Sequence, residues 1–248
     1  MKYYNAHESE YQKRLAAGQV AWDKGTYDDI DIRPFIEHML KESTISPSGS
    51  CALDIGCGTG GLACMLASIG FSVTGIDISP TAISVAKHQS SKRGLAITFH
   101  VRDLCRDTLA RAAFDLIIDN HFLHCIVRPE ERQFVLQNLR KGLKKRGEFW
   151  METMVGHPDM IPLAEWNLDE TGVTWCVVPE EKRTHGCIER DGKIWYPIRK
   201  IQPSDELLVA ELLEADLDIV WQQTEPPSAP GETGTFRARC RPRAVKQG

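Results

Sequence analysis

The chain has 248 residues, 42% of them hydrophobic and 26% charged, with a formal net charge of -4. That length buries one large α/β core, and the acidic balance argues against a surface built for nucleic acid or anionic lipid. No apolar run approaches the ~20 residues of a spanning helix, and Met1-Lys2-Tyr3-Tyr4-Asn5 lacks the apolar core of an export signal, so a cytoplasmic protein with no membrane partner is expected.

Residues 1–45 read as an N-terminal helical cover that contains Trp22, with a helix over Pro34–Glu42. Ser46-Pro47-Ser48-Gly49-Ser50 is a turn before a short apolar strand, Cys51-Ala52-Leu53. Next comes Asp54-Ile55-Gly56-Cys57-Gly58-Thr59-Gly60-Gly61, then a helical pattern over Leu62–Ile69. A strand, a glycine turn and a helix in this order place a helix N-terminus and bare backbone against a ligand. Phe71–Asp77 reads as a second strand ending in an acid about 20 residues past the glycines, the spacing at which a carboxylate reaches ribose hydroxyls. Ser79 and Pro80 read as the cap and first position of the next helix, Thr81–Arg93, with Ala82, Ile83, Val85 and Ala86 along one side.

A third strand, Ala96–Asp103, ends in another acid, which can accept a hydrogen bond from an exocyclic amine such as that of adenine. The fourth, Phe114–Asn120, carries polar groups at its carboxyl end, where ligands sit in open parallel sheets. The helix Pro129–Leu143 is expected to turn Phe134, Val135, Leu139 and Leu143 inward, and Glu148–Met154 is a fifth strand. Residues 155–201 read as a long irregular insertion, and segments of that kind in compact domains are usually loops or lids over a site. A helix at Ser204–Ala215 and strands at Leu217–Trp221 and Gly234–Cys240 follow, joined by an exposed Pro-rich connection, Glu225–Gly231. Strands alternating with helices mean a doubly wound, mostly parallel sheet.

Together the glycine loop, the acids ending three strands and Phe114–Ile118 running into Leu123–Ile126 resemble the class I S-adenosylmethionine-dependent methyltransferases of small-molecule type, from about Ala52 to Met154. The resemblance implies a Rossmann-like, seven-stranded sheet with a C-terminal antiparallel hairpin, in one domain: cover 1–45, cofactor-binding core 46–154, lid-like insertion 155–201, and helix with hairpin 202–243. It implies that S-adenosyl-L-methionine is the cofactor and S-adenosyl-L-homocysteine the product. Asp54, Gly56, Gly58 and Gly60 would approach the methionine half, Asp77 with Ile78 the ribose, and Asp103 with Leu104 the adenine. Asn120 and the rest of Asp119–His124 would lie near the reactive methyl.

Methyl transfer from a sulfonium is an in-line displacement, so alignment and exclusion of water dominate, with a base needed when the nucleophile is a protonated oxygen or nitrogen. Asp119, His121 and His124 are the candidates near the methyl, since a neutral imidazole accepts a proton near pH 7; His124 resembles a histidine common in that family's fourth motif, where it often packs structurally, so His121 is the preferred base. Trp22, Trp166, Trp175, Trp195, Tyr196 and Arg199 are candidate acceptor-pocket residues, and their alternative is to pack a small accessory core. Asp119-Asn120-His121-Phe122 departs from the Asn/Asp-Pro-Pro-Tyr/Phe pattern of base amino-methyltransferases. A small organic acceptor fits best, with a protein, a thiol or a metalloid as alternatives. Gly56, Gly58 and Gly61 also satisfy G-x-G-x-x-G, so a nicotinamide-dependent oxidoreductase stands as another reading, as does a module that binds S-adenosylmethionine without catalysis. The eight cysteines form no C-x-x-C pair, so free thiols and no metal are expected, with Cys57 a packing residue. Monomer and homodimer are both compatible with the sequence.

Overall fold

Residue chemistry sets the layers. In β1 (Cys51–Ile55) Leu53 and Ile55 face one apolar cluster and Ala52 the opposite one, the alternation of a strand buried on both sides. Each fully buried Leu or Ile contributes about 1.5–3 kcal/mol. The computed structural model describes residues 2–19, 30–158, 160, 167–180, 183, 186–229 and 231–244. Trp22 and Trp166 lie outside the described residues.

A 3-10 turn at Tyr3–Asn5 leads into α1 (Ala6–Ala16), and α2 (Arg33–Glu42) has Pro34 in its first turn and buries Phe35, Ile36 and Met39. After β1 come α3 (Gly61–Ser68), β2 (Ser72–Asp77), α4 (Pro80–Lys92), β3 (Ile97–Val101) and β4 (Phe114–Asn120). A 3-10 turn at Leu123–Cys125 precedes α5 (Pro129–Gly142) and β5 (Leu143–Val155). The chain then forms β6 (Asn167–Leu168), β7 (Val173–Val178), β8 (Ile188–Arg190), β9 (Lys193–Lys200), α6 (Asp205–Glu214), β10 (Leu217–Glu225) and β11 (Gly234–Pro242).

Seven strands form one sheet in the order β3-β2-β1-β4-β5-β11-β10. β1 to β5 pair in parallel, and β11 runs against both β5 and β10. Residues of α5 and α6 cover one face and residues of α2, α3 and α4 the other. The chain leaves β1 in one direction across the sheet and returns at β4 in the other, which opens a crevice at the carboxyl ends of those two strands.

Two sequence expectations need correction. Phe134 is exposed, because the buried stripe of α5 runs through Arg132, Val135, Leu136 and Leu139, and position 134 falls outside that helical period. Residues 155–201 are not irregular throughout: β6 to β9 form an antiparallel sheet of their own in the order β6-β7-β9-β8. Its tightest connection is Asp191-Gly192, both at positive φ (54° and 66°) between the paired Arg190 and Lys193. That is a two-residue hairpin turn, for which Asp-Gly is a preferred sequence. This accessory sheet buries Val173 and Tyr196 against Tyr3, Tyr4 and Val127, which ties it to the N-terminal turn and to the segment after β4.

Candidate active site

The glycine loop leaves β1 with Gly56, Gly58 and Gly60 at φ of 62°, 51° and 88°. A side chain at Gly56 would meet Phe122 at 2.8 Å, and one at Gly58 would meet the Tyr11 hydroxyl at 2.6 Å. Asp77 holds the loop in shape: its Oδ2 accepts from Gly58 N at 2.9 Å and its Oδ1 from Ser79 N at 2.8 Å. Ser79 caps α4 by accepting from Ala82 N at 3.0 Å, so the helix has its own cap beside the Asp77 contact.

Three carboxylates converge under this loop. Asp54, Asp77 and Asp119 are all buried, at the ends of β1, β2 and β4. Burial, then the neighbouring Asp77, pushes the Asp54 carboxyl well above the usual carboxylate range. Burial pushes Asp77 up to about 6 against the pull of its backbone donors. Burial likewise pushes Asp119 up to about 6, against hydrogen bonds from Phe122 N (2.6 Å) and Leu123 N (3.0 Å). Asp54 Oδ2 has no hydrogen-bond partner among the described residues, although it is buried. An orphaned buried acceptor is costly, and a donor-bearing ligand is one way to satisfy it.

The N-terminal segment lies across the same loop. Glu8 of α1 accepts from Ser79 Oγ and Thr81 Oγ1, both at 2.5 Å, and from Thr81 N at 3.2 Å. Tyr11, one turn further on, stands over Gly58, and burial and the nearby Asp77 push its hydroxyl well above the usual range. Tyr4 donates to Asp103 Oδ2 at 3.0 Å, and Lys2 pairs with the same oxygen. Leu104 is buried in the main core, and Ile78 is half-buried against the accessory cluster.

At the end of β4, Asn120 is half-buried and pairs in register with Glu152 of β5. His121 follows at φ 63°, a left-handed conformation that costs a non-glycine residue on the order of 1–3 kcal/mol. Its backbone N donates to Glu152 O at 2.9 Å, and its Nε2 lies 3.3 Å from Glu152 Oε1. Its Nδ1 is buried without a hydrogen-bond partner among the described residues. Burial would raise the Glu152 carboxyl, but hydrogen bonds and charge from His121 and Arg237 outweigh it and hold it below the usual range. His124 is buried beside His121, ring centroids 5.5 Å apart, with its Nδ1 3.5 Å from Thr153 Oγ1. Burial, then the charge of His121 and Arg199, keeps His124 neutral, its pKa well below the histidine norm.

The other sequence candidates divide. Trp175 donates to Asp169 Oδ2 at 2.8 Å and packs on the accessory cluster, in which Tyr196 is buried. Trp195 donates to the Arg190 carbonyl at 3.1 Å, with the Arg190 guanidinium 4.5 Å over its ring. Arg199 of β9 is half-buried and acts electrostatically on His124 and His7, and burial with Arg199 drives His7 down to about 4. Sequence reasoning missed Glu152, Glu8, Tyr4 and Tyr11. Only Glu152 left a local trace, an acid in the apolar strand Phe149–Val155; the others act across 47 to 99 residues of chain.

A doubly wound sheet with a glycine loop and three acids at its switch point defines a nucleoside-type ligand site. A family model described as a methyltransferase domain matches residues 47–202. The ubiquinone biosynthesis O-methyltransferase of Xanthomonas axonopodis pv. citri is 27% identical over 163 residues, 64% of this chain and 66% of that protein. The ribosomal protein L11 methyltransferase of Burkholderia mallei is 39% identical over 80 residues, 32% of this chain and 25% of that protein. The chain thus spans just under two thirds of the first relative and a quarter of the second. A crystal structure of an S-adenosylmethionine-dependent methyltransferase from Methanosarcina mazei superposes with a TM-score of 0.67 at 22% identity, covering 87% of this chain and 100% of that one. The chain belongs to the class I S-adenosylmethionine-dependent methyltransferases. Among the described residues no helix is long and apolar enough to cross a membrane.

Proposed function

We propose that this enzyme transfers a methyl group from S-adenosylmethionine to a small organic acceptor held between the β4 end, the N-terminal turn and the accessory sheet. One observation carries the reading. Two buried polar atoms without partners among the described residues, Asp54 Oδ2 and His121 Nδ1, stand at the carboxyl ends of the adjacent strands β1 and β4. One is an acceptor suited to the cofactor's ammonium or hydroxyl groups. The other is suited to an acceptor proton. The residues fit the cofactor: Gly56, Gly58 and Gly60 leave backbone bare, and Asp54, Asp77 with Ile78, Asp103 with Leu104, and Asn120 line the strand ends. When bound, S-adenosylmethionine supplies a methyl carbon made electrophilic by its positively charged sulfur. The chain's own residues orient the partners, exclude water and, at His121, take a proton.

The Xanthomonas relative, named for ubiquinone biosynthesis, supports a small acceptor, as do the accessory sheet and N-terminal turn packed beside the crevice. His124, with Thr153 against it, lies beside His121, and Arg199 acts on His124 electrostatically. The test is calorimetric titration with S-adenosylmethionine, S-adenosylhomocysteine and NAD, followed by mass-spectrometric screening of hydroxylated and amino-bearing small molecules. Micromolar binding of the first two with methylation of a small molecule supports the reading. Binding of NAD alone, or methylation confined to protein, overturns it.

A further inference from the structure

We infer that Glu152 is a positioning residue that fixes the tautomer of His121, so that Nδ1 receives a proton from the acceptor and the methylated atom is a protic oxygen or nitrogen. The inference rests on the methyl-transfer reading above and deepens it. Glu152 grips His121 twice, by accepting its backbone N–H and by standing 3.3 Å from Nε2. An ionised carboxylate only accepts, so Nε2 is the nitrogen that carries hydrogen and Nδ1 the one that presents a lone pair. Glu152 stays ionised because Arg237 holds its Oε2, and Arg237 is held in turn by Glu225 Oε1 at 2.7 Å from Nη1. The carboxylate is buried and sits on the strand paired with β4, so its place is set by the sheet rather than by a loop.

The surroundings of Nδ1 agree. It is buried, yet no described residue bonds it, whereas Nδ1 of the neighbouring His124 has Thr153 Oγ1 within 3.5 Å. His124 is held neutral, so its ring adds no charge beside His121. The left-handed backbone at His121 sets the direction in which the ring leaves β4.

In the proton step the acceptor's O–H or N–H bond breaks and an N–H bond forms at Nδ1. The bonding pair stays on the oxygen or nitrogen and becomes its nucleophilic pair. The imidazolium so formed donates from Nε2 to the Glu152 carboxylate, and it returns its proton to water when product leaves. A thiolate or a metalloid with a free lone pair needs no such group.

The test reads the tautomer directly, by long-range 1H–15N spectra of the full chain carrying 15N-histidine, with His121→Asn used for assignment. The expected result is a single Nε2–H form of His121 in the parent protein and a mixture of both forms in Glu152→Gln. An Nδ1–H form in the parent, or an unchanged tautomer in Glu152→Gln, overturns the inference. Should Glu152→Gln not fold, Glu152→Asp withdraws the carboxylate by one methylene and is expected to give the same mixture. With a methylated acceptor in hand, Glu152→Gln is expected to lower kcat at least tenfold while the S-adenosylmethionine Kd moves less than twofold. Turnover confined to thiols overturns the acceptor class. Failure of the parent protein to bind S-adenosylmethionine, with the Nε2–H tautomer present, overturns the functional reading and leaves the Glu152 contact standing.

Discussion

The two sides of the crevice are built by different means. The glycine-loop side is mainly backbone, shaped by residues close together in sequence: three glycines at positive φ and an acid 19 residues beyond Gly58. The β4 side is made of side chains delivered by distant elements: Glu152 from β5, Arg199 from β9, and Tyr3 from the N-terminal turn, whose hydroxyl accepts from Val127 N at 2.9 Å. A backbone cradle accepts any ligand with the right polar edges. A wall of side chains from separate segments can be altered one residue at a time without disturbing the cradle, which suits a family that shares a cofactor and varies its acceptors.

This contrast can be broken at either side. The largest effect is expected from Gly56→Ala, whose added carbon meets Phe122 at 2.8 Å on a left-handed backbone. We expect an S-adenosylmethionine affinity about 100-fold weaker, ~2.7 kcal/mol by calorimetry; a loss below threefold would remove the loop from the binding site. Next is Asp77→Ala, which frees the amides of Gly58 and Ser79 and removes the expected ribose acceptor. The expected weakening is about 20-fold, and unchanged affinity defeats the assignment. Asp77→Ala should leave the His121 tautomer unaltered, because Asp77 bonds Gly58 and Ser79 rather than Glu152.

A smaller effect concerns acidity. His7 has its pKa lowered to about 4 in the fold, from an ordinary value near 6.5. The unfolded chain therefore takes up this proton first as pH falls, so stability from keeping His7 neutral is present above pH 6.5 and is lost on the way to pH 4. His7→Gln should lose less melting temperature than the parent between pH 6.5 and 4.5, by roughly 5 °C. Parallel acid curves for the two proteins would show that His7 is not buried neutral. The smallest effect is Glu8→Gln, which weakens the contacts of α1 with Ser79 and Thr81. Amide exchange in α1 is expected to quicken about fivefold while β1 and β4 keep their protection. Equal quickening in β1 would mean that the cover and the core open as one unit.

The same contrast explains what the sequence disclosed. The glycine-loop side was legible in its structure because short-range rules govern it: strand, glycine turn, helix, and an acid at a set spacing. The capping role of Ser79 was legible for the same reason. The accessory sheet was only partly hidden, since Asp191-Gly192 between Ile188–Arg190 and Lys193–Lys200 is a local hairpin signal that the aromatic richness of the segment obscured. Tyr4, Glu8 and Tyr11 were not legible, because a polar N-terminal segment does not state which loop it will cover. Glu152 required knowing that β5 lies beside β4 in a register that sets Asn120 opposite it.

Lys2 pairs with Asp103, and Tyr4 bonds the same oxygen, so the first residues of the chain are stitched to the edge of the ligand crevice. That has a practical bearing on handling. An affinity tag joined ahead of Lys2 emerges beside the ion pair, and its bulk and charge compete for the carboxylate. Tags are better placed after β11, at the far end of the sequence, and a binding constant measured with an uncleaved leading tag reports on the tag as well as on the enzyme.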